Sequence, residues 1–259
     1  MTGFLFHDVI FGPVRSRRLG LSLGINLLPD HAKYCSFNCI YCECGWTPAS
    51  QPAIPELPPR EVVYQYLEYR LKELIEEDHI PDALTYAGNG EPTLHPEFAG
   101  IVDDTLALRD KYMPGVSVSV LSNGSMIDRP EIFNALLKLD KNIQKLDAGD
   151  EKLFRLINHP VLPVKYDDLI GNLKKFKGKV IIQSMFLRGS FRDVDIDNTK
   201  APEVEKWLRQ LEIIRPECVM IYPVSRPTPV HNLEKIGIFE LEKIAVKVRK
   251  LGIEALVYA

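Results

Sequence analysis

The 259-residue sequence predicts an α/β protein built as a partial barrel of six parallel strands, a (β/α)6 arrangement. Short apolar runs alternate with longer amphipathic runs along most of the chain, which is typical of parallel strands joined by helical crossovers. Six strand and helix units can be counted, too few for a closed barrel of about eight units. A doubly wound open sheet shows the same alternation, and in both architectures ligands bind at the carboxyl ends of the strands.

The helices are predicted from apolar residues at helical spacing, and the strands from short apolar runs. The first helix has apolar residues at helical spacing, namely Val62, Tyr66, Leu67, Leu71, Leu74 and Ile75. Pro130 suits the first turn of a later helix. The predicted elements are, in order, strand Leu21–Leu28, helix Glu61–Glu77, strand Asp82–Ala87, helix Pro96–Tyr112, strand Val116–Ser122, helix Pro130–Leu139, strand Asn142–Asp147, helices Glu151–Asn158 and Tyr166–Phe176, strand Val180–Phe186, helix Glu203–Ile214, strand Glu217–Tyr222, helix Phe239–Leu251, and the apolar end Ile253–Tyr258, whose type is left open.

Composition narrows the class of protein. The chain is 46% hydrophobic and carries 32 basic and 35 acidic side chains, a net charge of −3. It therefore lacks the basic excess of a general nucleic-acid binder. No basic n-region opens the sequence, and no uncharged apolar stretch reaches the roughly 18 residues of a membrane span, so a cytoplasmic protein without membrane contact is expected.

The domain organisation is predicted to be simple. We expect one domain over residues 1–259, with a core at about 20–225, an N-terminal arm and a C-terminal helix. The connection from Thr47 to Pro59 contains five prolines and is long for a loop, and loops of that length are usually functional or mobile.

Four of the five cysteines, Cys35, Cys39, Cys42 and Cys44, fall within ten residues after the first strand. The first three have the spacing Cys-x3-Cys-x2-Cys, and thiolates are soft ligands that select iron–sulfur clusters, zinc or copper. Three thiolates on a four-iron cluster leave one iron open to a substrate or cofactor. A closed zinc site with Cys44 as fourth ligand is the alternative, but structural zinc sites usually draw ligand pairs from separated segments.

The motif Cys35-Ser-Phe-Asn-Cys39-Ile-Tyr41-Cys42 resembles the signature of the radical S-adenosylmethionine enzymes, which have an aromatic residue before the third cysteine. The segments Gly-Pro-Val-Arg-Ser-Arg-Arg-Leu-Gly at 12–20 and Ser-Leu-Gly-Ile-Asn-Leu-Leu-Pro at 22–29 are similar to the branch that contains wyosine-synthesis proteins and related iron–sulfur oxidoreductases. The resemblance covers about residues 8–230. It implies a TIM-like partial barrel.

The resemblance also implies an enzyme with one four-iron four-sulfur cluster, held by Cys35, Cys39 and Cys42, as a metal-binding centre. The open iron would chelate the amino and carboxylate groups of S-adenosyl-L-methionine. One electron, from a donor such as flavodoxin or ferredoxin, would cleave that cofactor to methionine and a 5′-deoxyadenosyl radical, which abstracts hydrogen from the substrate. Tyr41 is assigned to the cofactor site with the cysteine loop.

Two strand ends then supply candidate cofactor-binding groups. Gly88-Asn89-Gly90-Glu91-Pro92 resembles the family's Gly-Gly-Glu motif, with Asn89 in place of a glycine. Glu91 and nearby carbonyls can accept hydrogen bonds from an ammonium, and Gly90 permits close approach. A plain glycine turn is the alternative. Ser122 and Asn123 offer a hydroxyl and an amide to ribose or carboxylate, although Asn-Gly is also a common turn signal.

The next strand end carries Lys145 and Asp147, which strand alternation places on one face. Asp147 is a candidate ribose partner, and Lys145 would meet a carboxylate or pair with Asp147.

The last two strands add Gln183, Arg188 and Tyr222. Arg188 either anchors a carboxylate or is solvated. Tyr222 stands where the family places adenine and substrate. No catalytic residue is assigned.

Only Cys44 and Cys218 remain outside the triad, so a second three-cysteine cluster cannot be built. The sequence favours a one-cluster radical enzyme acting on a nucleoside, a tRNA base or a small metabolite. The alternatives are a glycyl-radical activase acting on a partner protein and a non-catalytic iron–sulfur module for electron transfer or sensing.

One concentrated basic patch is predicted near the cysteine loop. Arg15, Arg17 and Arg18, with Lys33, either receive phosphates or pair with acidic residues elsewhere.

Overall fold

A computed structural model describes residues 3–48 and 56–258, and within them ten strands form one sheet. Most of the predicted connection from Thr47 to Pro59, including Pro52 and Pro55, lies outside the described residues. The strands are β1 Ile10–Ser16, β2 Gly20–Ile25, β3 Ala83–Tyr86, β4 Ser117–Ser122, β5 Lys141–Lys145, β6 Ile181–Phe191, β7 Val194–Asp197, β8 Cys218–Pro223, β9 Leu233–Lys235 and β10 Glu254–Val257.

Parallel pairing runs through the sheet in the order β2-β3-β4-β5-β6-β8-β10, with β1 antiparallel to β2 at one end. The path does not close on itself. The predicted α/β class and the partial barrel of parallel strands are therefore confirmed, and all six predicted strands are present within a few residues of their expected bounds.

The helices connect these strands and cover the outer face of the sheet. The parallel strands are buried, as expected for a sheet covered by crossover helices, and Leu23, Leu84, Val118 and Ile182 are fully inaccessible to solvent. The helices are α1 Arg60–Glu76, α2 Phe98–Tyr112, α3 Pro130–Leu136, α4 Glu151–Asn158, α5 Tyr166–Lys174, α6 Ala201–Ile214 and α7 Ile238–Arg249. No helix in the described parts of the chain is long and apolar enough to cross a bilayer.

Three features extend the predicted architecture. Strand β1 was not predicted, because Gly12-Pro13 interrupts its apolar pattern, and its pairing with β2 shifts register between Phe11 and Val14. Strand β6 continues to Phe191, where its far half pairs with the short antiparallel strands β7 and β9. The apolar end at 253–258 contains β10, a parallel neighbour of β8.

The turn between β1 and β2 reaches across to the opposite side of the open barrel. Arg17 donates to the Ser225 hydroxyl at 2.7 Å, just after β8. The guanidinium of Arg18 lies 4.5 Å from the centre of the Tyr222 ring and donates to the side-chain oxygen of Gln183. We call this set of side-chain contacts the seam.

Candidate functional site

The three motif cysteines lie on the loop that follows β2, at the carboxyl end of that strand. Two backbone hydrogen bonds fix the loop against the end of α4, from Asn38 to His159 and from Ile40 to Ile157, each 3.0 Å long. On its other side, Tyr34 forms a parallel bridge with Gly90 after β3. The loop is thus held on one side by the end of a helix and on the other by the segment that follows β3.

Amide donors point at two of the cysteine sulfurs. The Asn123 side chain donates to Cys35 Sγ at 3.6 Å, and the Asn158 side chain donates to Cys39 Sγ at 3.5 Å. The backbone N–H of Phe37 also donates to Cys35 Sγ, at 3.5 Å. Hydrogen bonds to sulfur stabilise anionic thiolates and tune a bound cluster. Asn158 was not predicted, since an asparagine at a helix end has no distinctive sequence signal.

A buried lysine adds positive charge beside the same loop. Lys33 is 2% exposed, and its ammonium donates to the Gly45 carbonyl at 3.0 Å and to the Asn38 side chain at 3.3 Å. Burial works to lower the pKa of Lys33, but the nearby cysteine sulfurs raise it above its ordinary value. The predicted basic patch therefore does not include Lys33, which lies inside the cysteine loop.

The four clustered thiols have different acidities. Burial raises the pKa of Cys35 to about 12, with Lys33 acting in the opposite direction, and burial also raises the pKa of Cys39. A hydrogen bond with Cys44, together with the charge of Lys33, lowers the pKa of Cys42. The Sγ atom of Cys44 also lies 3.4 Å from the Gly88 carbonyl oxygen.

The donor set of this loop fits an iron–sulfur cluster. It combines three cysteine sulfurs with amide donors and a buried ammonium, which offset the negative charge of thiolate ligands. In the described parts of the chain, no three His, Cys, Asp or Glu side chains are arranged to hold a single metal ion. A four-iron cluster makes no such demand, because each thiolate binds a different iron.

Tyr41, the aromatic residue of the motif, is held by a buried acid. Its hydroxyl donates to Asp147, which also accepts from the Asn158 side chain at 2.6 Å and from the Met185 N–H at 2.8 Å. Lys145 donates to the Tyr41 hydroxyl and lies 3.6 Å from the Asp147 carboxylate. Burial works to lower the pKa of Lys145, but Asp147 raises it well above its ordinary value.

This network surrounds Asp147, the residue expected to meet a ribose. The Asp147 side chain is fully buried, and both of its oxygens already accept hydrogen bonds from the protein. It is therefore placed to position Tyr41, and its expected contact with a ribose stays a prediction. The predicted pairing of Lys145 with Asp147 is observed.

Glu91 lies in a second buried polar cluster, beside the cysteine loop. One of its oxygens accepts from the Thr93 hydroxyl at 2.5 Å and the other from the Asn123 N–H at 2.6 Å. Burial raises the pKa of Glu91, while these hydrogen bonds work to lower it. The Asn123 side chain donates to the Ser36 hydroxyl at 2.8 Å, so Glu91 and the loop share one hydrogen-bond network.

Asn89 anchors the N-terminal arm. Its side chain donates to the carbonyls of Phe6 and Pro29, both at 2.7 Å, and accepts from the Phe6 N–H at 2.8 Å. All three bonds are to backbone, and the residue is completely buried. The asparagine that replaces a family glycine therefore ties the arm to the strand end, and its expected contact with a cofactor stays a prediction.

Gly90 cannot carry a side chain in this structure. Its φ is +149°, and a Cβ atom there would lie 1.9 Å from the Tyr34 carbonyl oxygen. We expect Gly90→Ala to disrupt the bridge that holds the cysteine loop, lowering the free energy of unfolding by more than about 2 kcal/mol. Chemical denaturation of the purified variant measures this loss.

Gly171 provides the matched control. It lies in α5, and a Cβ there would meet nothing within 4 Å. Gly171→Ala is expected to leave stability unchanged or to raise it by up to about 1 kcal/mol, because alanine favours a helix. Equal losses in the two variants would contradict the close approach at Gly90.

The other predicted site residues lie in three different places. Ser122 is buried and accepts from the Gly124 N–H, while Gln183 and Tyr222 belong to the seam, where Tyr222 donates to Gln183 at 3.4 Å. Arg188 is not brought to the cysteine loop. Instead it donates to Thr199 at 2.9 Å and pairs with Glu240 of α7, while 36% of its side chain is exposed. Its expected contact with a carboxylate ligand stays a prediction.

Two cavities border the cysteine loop. The larger, about 720 Å³, lies between the N-terminal arm, the loop and the proline-rich segment after β8. The smaller, about 200 Å³, opens beside the turn between β1 and β2. Phe6, Val14, Glu43 and Arg226 line both. A ligand seated in either cavity would touch the loop through Glu43.

Comparison with known proteins agrees with this geometry. A family model described as the Radical SAM superfamily matches residues 30–199. A UPF0026 protein of Methanocaldococcus jannaschii is 34% identical over 224 residues, 85% of this chain and 65% of that protein. A protein named GTPase Obg from Brachyspira hyodysenteriae is 30% identical over 239 residues, 90% of this chain. The chain spans 32% of that relative's length.

One solved structure with a similar fold is that of TYW1 with a lysine–pyruvate adduct bound. The two chains are 18% identical and superpose with a TM-score of 0.63, covering 88% of this chain and 73% of the other. At 18% identity, this similarity shows that the two chains share a fold and carries no conclusion about activity.

Proposed function

Because this chain belongs to the Radical SAM superfamily, and is therefore an enzyme that uses a four-iron four-sulfur cluster and S-adenosylmethionine, we propose that it abstracts hydrogen from a small organic substrate with a single cluster. The observation that carries the proposal is the cysteine loop, where Cys35, Cys39 and Cys42 lie beside amide donors and Lys33. A nucleoside is included among such substrates. When bound, the cluster and its cofactor supply one-electron cleavage to methionine and a 5′-deoxyadenosyl radical, which takes a hydrogen atom from the substrate.

The chain's own residues would hold these groups at the carboxyl ends of the strands. Cys35, Cys39 and Cys42 would bind three irons and leave the fourth for S-adenosylmethionine. Glu91 has accepting capacity beyond its present bonds, since a carboxylate offers about four lone-pair sites, and would receive the cofactor's ammonium. Tyr41, fixed by Asp147 and Lys145, would border the same site.

Burial of this site supports radical chemistry over simple electron transfer. Cys39 is 7% exposed and Tyr41 is equally shielded, so the loop limits access of water and of other hydrogen donors. The two cavities beside Glu43 give a substrate a place next to the loop.

The test is cofactor cleavage. Anaerobically reconstituted protein, reduced by a low-potential donor in the presence of S-adenosylmethionine, is expected to release 5′-deoxyadenosine and methionine in equal amounts. Chromatography with mass detection measures both products. Protein that binds a full cluster yet forms neither product would rule out the radical enzyme in favour of an electron-transfer or sensing module.

The substrate experiment separates a small molecule from a partner protein. Metabolite and nucleoside extracts of cells lacking the protein, added to the reconstituted enzyme, are expected to raise 5′-deoxyadenosine release. A rise caused only by the protein fraction, with a radical signal on a partner polypeptide, would favour an activase instead.

A further inference from the structure

The smaller of the two cavities, which we call the arginine pocket, is lined by four arginines and one glutamate. Arg15, Arg17 and Arg18 come from β1 and the turn before β2, Arg226 comes from the segment after β8, and Glu43 belongs to the cysteine loop. The hairpin and the segment after β8, which are far apart in sequence, thus bring positive charge to a cavity of about 200 Å³.

Most of this charge is not neutralised by the protein. Arg226 pairs with Glu43 at 2.7 Å. Among residues 3–48 and 56–258, no carboxylate forms an ion pair with the remaining three arginines of the pocket. The expectation that acidic residues elsewhere pair with them is therefore not met in the described structure. Three like charges around one cavity favour an anion within it.

Two of these three guanidinium groups are held by neutral partners. Arg17 donates to Ser225, and Arg18 is fixed between Gln183 and the Tyr222 ring. These contacts restrain the side chains without consuming their charge, so less conformational entropy is lost when a ligand binds. A planar guanidinium can also bind a phosphate or carboxylate through two parallel hydrogen bonds.

An apolar wall stands beside the charged groups. The rings of Phe6 and Phe11 are stacked with centres 3.7 Å apart, and Gly24 faces Phe11 so closely that a Cβ atom there would lie 2.1 Å from the ring. Ala87 and Leu121 complete the wall. Ala87 directly precedes the site segment from Gly88 to Glu91, and Leu121 directly precedes Ser122 and Asn123.

We propose that the arginine pocket binds the phosphate or carboxylate of a small-molecule substrate and presents the rest of that molecule to the radical site. This rests on the proposed function and names its substrate class. The pocket is too small for a nucleic-acid helix, and the net charge of −3 disfavours a polyanion. An amphipathic cavity with an apolar wall suits a compact organic anion.

The test measures anion binding directly. The anaerobically reconstituted protein is titrated calorimetrically with pyrophosphate and, separately, with succinate. Each titration is expected to show one binding site. The anion with the higher affinity identifies phosphate or carboxylate as the preferred group. In the double variant Arg15→Gln/Arg17→Gln, affinity is expected to fall at least about tenfold. Arg18→Lys keeps the positive charge but loses the paired N–H donors of the guanidinium, so a smaller loss of affinity is expected.

Arg129→Gln is the matched control, because Arg129 is an exposed arginine outside the pocket. It is expected to bind pyrophosphate as the unmodified protein does. Two results would contradict anion binding in the arginine pocket: absence of binding by the unmodified protein, or equal losses of pyrophosphate affinity in Arg129→Gln and in the double variant. So would transfer RNA that displaces pyrophosphate at far lower concentration, since the substrate would then be a polynucleotide.

Failure of this inference can be told apart from failure of the proposed function. Protein that forms 5′-deoxyadenosine without binding either anion would support the radical function and contradict anion binding in the arginine pocket. Protein that binds pyrophosphate in the expected way but never cleaves S-adenosylmethionine would support anion binding in the pocket and contradict the radical function.

Discussion

Cys39→Ala is expected to abolish cluster binding, whereas Cys44→Ala is expected to retain a full cluster. Cys39 is one of the three proposed ligands, lies deepest in the loop, and receives a hydrogen bond from Asn158. Cys44 lies outside the motif, and its Sγ atom lies 3.4 Å from the Gly88 carbonyl oxygen. A four-iron cluster with only two remaining thiolates would lack the protein ligands that hold it. Iron and sulfide analysis after anaerobic reconstitution measures the difference.

The pair of variants also distinguishes the cluster from zinc. A closed tetrahedral zinc site would need all four cysteines, so Cys39→Ala and Cys44→Ala would then lose metal equally. A full cluster in Cys39→Ala would contradict the proposed ligands. Circular dichroism of both variants checks that the fold is kept.

Asp147→Ala is expected to lower the free energy of unfolding by about 3–5 kcal/mol, because it leaves the largely buried ammonium of Lys145 without its carboxylate partner. The same change removes acceptors from Tyr41, Asn158 and Met185. Asp147→Asn keeps the shape of the side chain but loses its charge, and a smaller loss of about 1–3 kcal/mol is expected. Chemical denaturation measures both.

Asp128→Ala serves as the comparison for this prediction, because Asp128 is exposed. Substitutions on an exposed surface usually change stability by less than about 0.5 kcal/mol. If Asp147→Ala and Asp128→Ala were equally stable, the buried network would contribute nothing. Asp147→Ala is also expected to weaken retention of the cluster, because Tyr41 belongs to the ligand loop.

Much of the architecture follows from sequence periodicity. Apolar runs locate the buried parallel strands, because both faces of such strands are covered. Strand β1 escapes this reasoning, since an edge strand with a proline and a register shift has no regular alternation. The extension of β6 to Phe191 is equally hidden, because its far half contains Arg188, Gly189 and Ser190 and is stabilised by pairing with β7 and β9.

The candidate site was only partly predictable. Cysteine spacing indicates a cluster because ligand number and spacing are local properties of the sequence. Partners that meet only in the fold are different: Arg188 proved to pair with Glu240, which lies 52 positions away, and Asn89 with the N-terminal arm. A polar residue at a strand end has both a structural and a functional use, and only its three-dimensional neighbours decide between them.

The seam has a mechanical consequence. Neighbouring strands of the sheet are joined by ladders of backbone hydrogen bonds, but the contacts described between the β1–β2 turn and β8 are made by a few side chains, chiefly those of Arg17, Arg18 and Tyr222. Each such hydrogen bond contributes only about 1 kcal/mol net. Separation along the seam would therefore break side-chain contacts alone and would leave every parallel strand pairing intact.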